Sequence, residues 1–378
     1  MFSPSRLTIA RDRRGWTRSE LAKAVGLSSK TIGAYESGQS EPTADGLSVL
    51  ARVLRFPAAF FHAGELDIPS PDAASFRSLA SMTAAQRNAA LAAGALATDL
   101  AAWIERRFEL PRADILDLRN ADPEVAAETI RRHWAIGERP ISNLVHLLER
   151  SGVRVFSLSE QCREVDAFSL WRNETPFVFL NTQKSPEHGR FDAAHELGHL
   201  VLHRHGHGGC DGAPEQCQIS YGRRASDGRR VEDEANAFAA ALLLPHRTLL
   251  SMTPRVPTLA KLVEIKKVWG VSLAALVHRL HRIHALNSWQ YRQLCIEISR
   301  EGYREKEPDG LSDRETSQLL AKTFEELRIS GFSRSDIARE LHLPSSELEG
   351  LIFGLTISGI DGNSETTSPP RGQLRLVD

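Results

Sequence analysis

The sequence predicts a mainly α-helical chain with a small α+β domain at its centre, and three observations carry that expectation. Apolar residues recur at helical spacing from Leu7 to Phe61 and again from Leu311 to Leu355. Three short Val- and Phe-rich runs, VRVFSL, VDAFSLW and PFVFLNT, follow Gly152 and read as strands of a small antiparallel or mixed sheet. With 378 residues, 41% of them hydrophobic and 25% charged, the chain can bury two or three cores rather than one.

Residues 1–66 form the first expected domain, an all-α bundle whose short helices are broken at Gly15, Gly26 and the Gly38–Pro42 stretch. The Pro/Asp/Ser-rich DIPSPDAAS, Asp67 to Ser75, opens a linker and helical connector over 67–122, which includes an Ala-rich helix from Thr83 to Phe108. A central domain is expected over 123–310. It begins with a helix from Pro123 to Trp134, continues through the three strands and reaches a helix from Phe191 to His203. A Gly/His/Arg-rich loop then leads to a helix from about Val231 to Leu244, stopped by Pro245, and more helices fill 258–300. A C-terminal helical element takes 311–357, and the polar tail 358–378 reads as disordered.

No apolar run approaches the roughly 20 residues a membrane helix requires, and the N-terminus has no apolar signal-peptide core. A cytoplasmic protein without a membrane partner is the expectation. Cys162, Cys210, Cys217 and Cys295 are too few and too scattered for a disulfide framework, so reduced thiols are expected. The net charge of −1 exerts no global pull on nucleic acid, but residues 1–60 hold nine Lys/Arg against five Asp/Glu, about +4 by subtraction. Any basic binding face is therefore local and N-terminal.

The sharpest chemical signal is AHELGHLVLH, with His195-Glu196-Leu197-Gly198-His199 inside a helical stretch. Two histidines four apart project from one helix face and can converge on one ion, with Glu196 beside the open coordination position as a proton acceptor. Zinc suits this ligand set and lowers the pKa of a water it binds toward about 7. A third ligand is required, and two candidates compete. His205 stands where the last histidine of HExxHxxGxxH would stand, but Leu202 replaces the glycine that turns the chain off the helix. Glu232, in VEDEANAFAAALLLP, lies on a second helix with Asn236 four residues on, so Glu232 can ligate while Asn236 orients a ligand histidine. Glu234, about 200° round that helix from Glu232, is expected to face elsewhere as a solvated carboxylate, like Asp233. His203, His207, Cys210 and Cys217 match none of the usual paired zinc spacings and read as part of a loop beside the site.

From about Arg131 to Pro308 the chain resembles the ImmA/IrrE metallopeptidase-like proteins, in the form with an N-terminal XRE-type helix-turn-helix. The likeness rests on ISNLVHLLERSGVRVF, VDAFSLW, RFDAAHELGHLVLH, EDEANAFAAALLLP, VSLAALVHRL and GYREKEP in that order. The resemblance implies a zincin-like core with zinc on His195, His199 and Glu232 and with Glu196 as general base. It also implies a protein substrate such as a DNA-binding repressor, in stress response or mobile-element control. Well-known members often act on a separate repressor, whereas a DNA-binding module lies in this same chain; self-cleavage, cleavage of a partner and a purely regulatory role all remain open.

TRSELAKAVGLSSKTIGAYESGQSEPT resembles the XRE-type helix-turn-helix. Thr17 and Ser28 suit the caps of its two helices, and Gly26 suits the turn between them. The second helix, roughly Ser28 to Ser37, would read double-stranded DNA through Ser29, Lys30 and Thr31, with Arg14 and Arg18 near phosphate. Ala22, Val25, Leu27, Ile32, Leu47 and Leu50 are the expected core, with Tyr35 undecided. A homodimer is expected, because one such module makes few contacts and binding tightens when two half-sites are read together. FSRSDIARELHLPSSELEGLIFGL repeats helix-turn-helix spacing, but its second helix offers Glu347 and Glu349, which repel phosphate, so it reads as a packing or protein-binding element. The functional expectation is a DNA-binding regulator fused to a zinc endopeptidase; the alternative is a regulator whose zinc domain senses a ligand or partner without cutting.

Overall fold

The computed structural model describes residues 1–70, 74–76, 82–158, 165–204 and 225–356. The tail 358–378, together with Cys162, His205, His207, Cys210 and Cys217, lies outside the described residues.

The N-terminal bundle consists of α1 (Pro4–Arg13), α2 (Arg18–Val25), α3 (Ser29–Glu36) and α4 (Ala44–Leu54), closed by a 3-10 turn over Ala58–His62. Thr17 and Glu20 cap α2 reciprocally: the Glu20 N–H donates to Thr17 Oγ1 at 3.2 Å and the Thr17 N–H donates to Glu20 Oε2 at 2.7 Å. Gly26 leaves α2 at φ 72, a left-handed conformation that costs a residue with a Cβ, and Ser28 accepts the Thr31 N–H to start α3. Ala22, Ile32, Leu47 and Leu50 are buried, while Val25 and Tyr35 pack half-buried against them. Leu27, expected in this core, is 38% exposed because it lies in the turn between α2 and α3, off the buried face of either helix.

The central sheet contains β1 (Ala74–Phe76), β2 (Arg154–Ser157), β3 (Ala167–Arg172) and β4 (Thr175–Leu180) in the order β1-β3-β4-β2. It is mixed: β4 pairs parallel with β2, and the other two pairings are antiparallel. The β3–β4 hairpin turns through Asn173 and Glu174, with Asn173 at φ 53, where asparagine is among the more tolerant residues. β1 corrects the reading of Asp67–Ser75 as linker throughout; its three residues are too few for strand alternation to show in sequence.

Helix α5 (Ala84–Glu105) lies on the aromatic face of the sheet, where a Cβ at Gly94 would sit 3.5 Å from the Phe168 ring. Its run of alanines lets neighbours approach closely, and α1 packs against it from the N-terminal bundle. Beyond it come α6 (Pro123–His133), α7 (Leu144–Arg150), α8 (Pro186–Leu202) and α9 (Ala225–Leu243). Both α8 and α9 start earlier than expected. Ser185 caps α8 and Pro186 occupies its first turn, whereas the first turns of α9 are polar and carry no apolar period to read. Helices α10 (His246–Met252), α11 (Leu259–Trp269), α12 (Leu273–Arg282) and α13 (Ser288–Arg300) complete the centre.

The C-terminal helices α14 (Gln318–Ile329), α15 (Arg334–Glu340) and α16 (Ser345–Ile352) are fastened by three carboxylates. Glu149 on α7 accepts the N–H groups of Gln318 and Leu319 at 2.9 and 3.0 Å, filling orphan donors of α14 from another helix. Glu315 pairs with Arg190 and accepts the N–H groups of Leu144 and Val145. Glu347 on α16 sits between Arg13 at 2.8 Å and Arg14 at 3.0 Å, and Arg13 also reaches the Ala89 carbonyl of α5. The second helix of the C-terminal pair therefore packs on the N-terminal bundle through the carboxylate that disqualified it as a DNA reader.

Candidate metal centre and nucleic-acid interface

His195 and His199 lie one turn apart on α8 with their Nε2 atoms 3.0 Å from each other, both fully buried. Helix α9 crosses α8 and brings Glu232 to them, with Oε2 3.2 Å from His195 Nε2 and Oε1 3.4 Å from His199 Nε2. One ligand atom from each of the three can be chosen so that all lie within 4.8 Å of one another. The helix crossing is close because Gly198 has no side chain: a Cβ there would fall 3.1 Å from Phe238 Cδ1 and 3.3 Å from Ala235 Cα.

The donor set fits a tetrahedral zinc ion. Nitrogen and oxygen ligands about 2.05 Å from zinc are separated by roughly 3.3 Å along a tetrahedron edge, the spacing these atoms already have. His195 Nδ1 lies 3.0 Å from Asn236 Oδ1; donating its proton there leaves the Nε2 lone pair facing His199 and Glu232. Glu232 Oε2 is shut off from solvent, with His195 Nε2 3.2 Å away. Burial works to raise the Glu232 pKa, but hydrogen bonds and charge from His195 and His199 outweigh it and hold the carboxyl at about 2. With both imidazoles neutral, their Nε2 lone pairs would face the half-buried Glu232 carboxylate, an arrangement that a cation between them would satisfy.

Glu196 is fully buried on the same helix, and Ser169 Oγ donates to its Oε2 at 2.7 Å. Ser169 was not singled out from the sequence. The signal lay in strand alternation: Ser169 and Trp171 share one face of β3, and the Trp171 Nε1–H donates to the Leu200 carbonyl of α8 at 3.3 Å. Glu234 does not stand idle in solvent as expected, because its Oε2 lies 3.0 Å from His203 Nε2, one turn beyond His199.

Ser29 and Lys30 are exposed at the start of α3, and Thr31, half-buried there, shares a 2.8 Å hydrogen bond with the Ser28 hydroxyl. Arg18 remains 56% exposed while pairing with Glu36, which also holds Arg11. The structure does not bring Arg14 to that surface. Its guanidinium is spent on Glu347 and the Leu54 carbonyl with 15% of the side chain exposed, which corrects its placement near phosphate.

Residues 148–281 match the family model of the IrrE N-terminal-like domain, and residues 7–61 match that of the helix-turn-helix. The chain joins a helix-turn-helix to an IrrE-like domain. DNA is accordingly the partner indicated for the N-terminal bundle, and the three clustered side chains of α8 and α9 lie inside the span matched to the IrrE-like model. No curated protein matches the chain. No described helix is long and apolar enough to cross a membrane.

Proposed function

We propose that this chain is a DNA-binding regulator whose IrrE-like domain is a zinc endopeptidase acting on a protein substrate, such as a repressor, in stress response or mobile-element control. The observation that carries this reading is the meeting of His195, His199 and Glu232 from two helices beside the buried carboxylate of Glu196. When bound by the three ligands, zinc supplies Lewis acidity, polarising a scissile carbonyl and acidifying water. Glu196 takes a proton from the water that attacks the carbonyl carbon, and delivers one to the amine nitrogen as the C–N bond breaks. Ser169 fixes the Glu196 carboxylate, so that little is lost in reorienting it during reaction. The helix-turn-helix places the activity at an operator through Ser29, Lys30 and Thr31, with Arg18 toward phosphate, and two copies read two half-sites as a homodimer in the cytoplasm.

The deciding experiment is zinc content by elemental analysis of wild type, His199→Ala and Glu232→Ala, with folding followed by circular dichroism. One zinc per chain, lost in both folded variants, supports the ligand set; zinc retained without Glu232 overturns it. Glu196→Gln is expected to keep zinc and abolish cutting when new N-termini are mapped in a cell lysate incubated with either protein. If Glu196→Gln regulates its operator normally and wild type produces no new N-termini, the domain is a sensor that does not cut.

A further inference from the structure

His195 and His199 present the same nitrogen to the candidate ion, yet the residues behind them differ. Behind His195 stands the Asn236 amide, with Oδ1 3.0 Å from Nδ1. Behind His199 stands a second imidazole, with His203 Nδ1 3.1 Å from His199 Nδ1, and beyond it the Glu234 carboxylate 3.0 Å from His203 Nε2. We infer that Glu234 and His203 form a hydrogen-bonded relay that fixes the tautomer and orientation of His199. It is a set of positioning residues separate from Asn236. The inference rests on the zinc reading above.

Proton accounting dictates the direction of the relay. If His199 is to offer a lone pair at Nε2, its proton must reside on Nδ1, which then donates to His203 Nδ1. His203 Nδ1 must be the acceptor, so the His203 proton resides on Nε2 and donates to Glu234. Of the three relay groups, the carboxylate at the far end is the one that can only accept while ionised, and it thereby sets both imidazoles. Arg230 lies 3.7 Å from the other Glu234 oxygen. The side chain of His203 is 4% exposed and that of Glu234 32% exposed, so the relay runs from the buried site to the protein surface. A hydrogen-bond acceptor behind a ligand imidazole strengthens its hold on a metal, and behind His199 that acceptor is His203 Nδ1, itself held by Glu234.

The test uses the full-length protein and three variants: Glu234→Ala, Glu234→Gln and His203→Phe. Zinc affinity is measured by competition with a chromophoric chelator, and histidine tautomers are read from long-range proton–nitrogen NMR spectra of the zinc-free protein. His203→Phe is expected to weaken zinc binding about 10- to 100-fold, the usual effect of removing such a partner. Glu234→Ala is expected to weaken it about tenfold. Glu234→Gln, which keeps an acceptor oxygen and loses the charge, falls between Glu234→Ala and wild type. The His199 resonances should shift from a single Nδ1–H tautomer toward a mixture in Glu234→Ala, while those of His195 stay fixed. The relay is overturned if wild type and Glu234→Ala bind zinc within twofold of each other with His199 unchanged, in a protein whose His199→Ala form loses zinc. If wild type itself binds no zinc, the zinc reading fails first, and the NMR tautomers still decide whether the relay exists.

Discussion

Replacing Gly198 with alanine sets two opposing effects against each other, and their magnitudes separate the fold from the metal site. Alanine in a helix interior is favoured over glycine by about 1 kcal/mol. The new Cβ would lie 3.1 Å from Phe238 Cδ1 and 3.3 Å from Ala235 Cα and O, where carbon contacts prefer about 3.5–4.0 Å. Two of these three contacts are α9 backbone, so α9 must retreat from α8 by several tenths of an ångström, an overpacking cost of about 1–3 kcal/mol. The unfolding free energy of the metal-free protein is thus expected to change little, falling by about 0–2 kcal/mol. The metal site has no compensating gain. Glu232 lies three residues before Ala235 on α9, and a shift of that size exceeds the roughly 0.2 Å tolerance of zinc–ligand distances. Zinc affinity should fall at least tenfold, about 1.4 kcal/mol. Gly189→Ala on the same helix is the control: its Cβ would meet nothing within 4 Å, so it should stabilise the fold by up to about 1 kcal/mol and leave zinc affinity unchanged. Chelator competition and urea unfolding of both variants measure the two quantities. Zinc affinity in a folded Gly198→Ala protein within twofold of wild type would refute the argument that this helix crossing positions Glu232.

Other outcomes follow from the same geometry. Glu347→Ala leaves Arg13, with 2% of its side chain exposed, without its carboxylate, and should cost about 3–5 kcal/mol by denaturant unfolding; a loss below about 1 kcal/mol would show the cluster has relaxed into solvent. Lys30→Ala should lower DNA affinity and reduce its salt slope by about 1 if Lys30 meets a phosphate, or cost about 1–3 kcal/mol at one base pair if it meets a base, whereas Lys23→Ala on the preceding helix serves as the exposed comparison. Burial pushes the Glu149 carboxyl up from 4.5 to about 7, against the hydrogen bonds from Ser317, Leu319 and Gln318 that lower it. A carboxyl with a folded pKa above its unfolded value costs nothing below pH 4.5, and the cost grows as pH rises to about 7, reaching on the order of 3 kcal/mol. Glu149→Gln keeps an acceptor for the α14 N–H groups and should flatten the urea midpoint between pH 5 and pH 8; parallel profiles for the two proteins would exclude this source of pH dependence.

Features that depend on neighbours along one helix or strand were legible in the sequence. The four-residue spacings of His195/His199 and of Glu232/Asn236 put each pair on one helix face, and the caps at Thr17 and Ser28 need only three residues of context. The contact between Glu234 and His203 was hidden because it depends on the angle at which α9 crosses α8, which no helical period encodes. Ser169 was half-hidden: alternation gives its face, but its partner is known only once α8 lies over β3. Arg14 was misjudged for a different reason, since a basic residue beside a DNA-reading helix is a fair candidate for phosphate until a carboxylate 333 residues away proves to occupy it.

That separation along the chain has a temporal side. Arg13 and Glu347 are 334 positions apart, and at about 5–20 residues per second a ribosome needs roughly 20 to 70 s to travel from one codon to the other. Throughout that interval the N-terminal bundle exists without the acid that neutralises Arg13 and Arg14. A nascent chain, or one cut anywhere before α16, therefore carries a more positive N-terminal bundle than the finished protein, with two guanidinium groups released from their carboxylate.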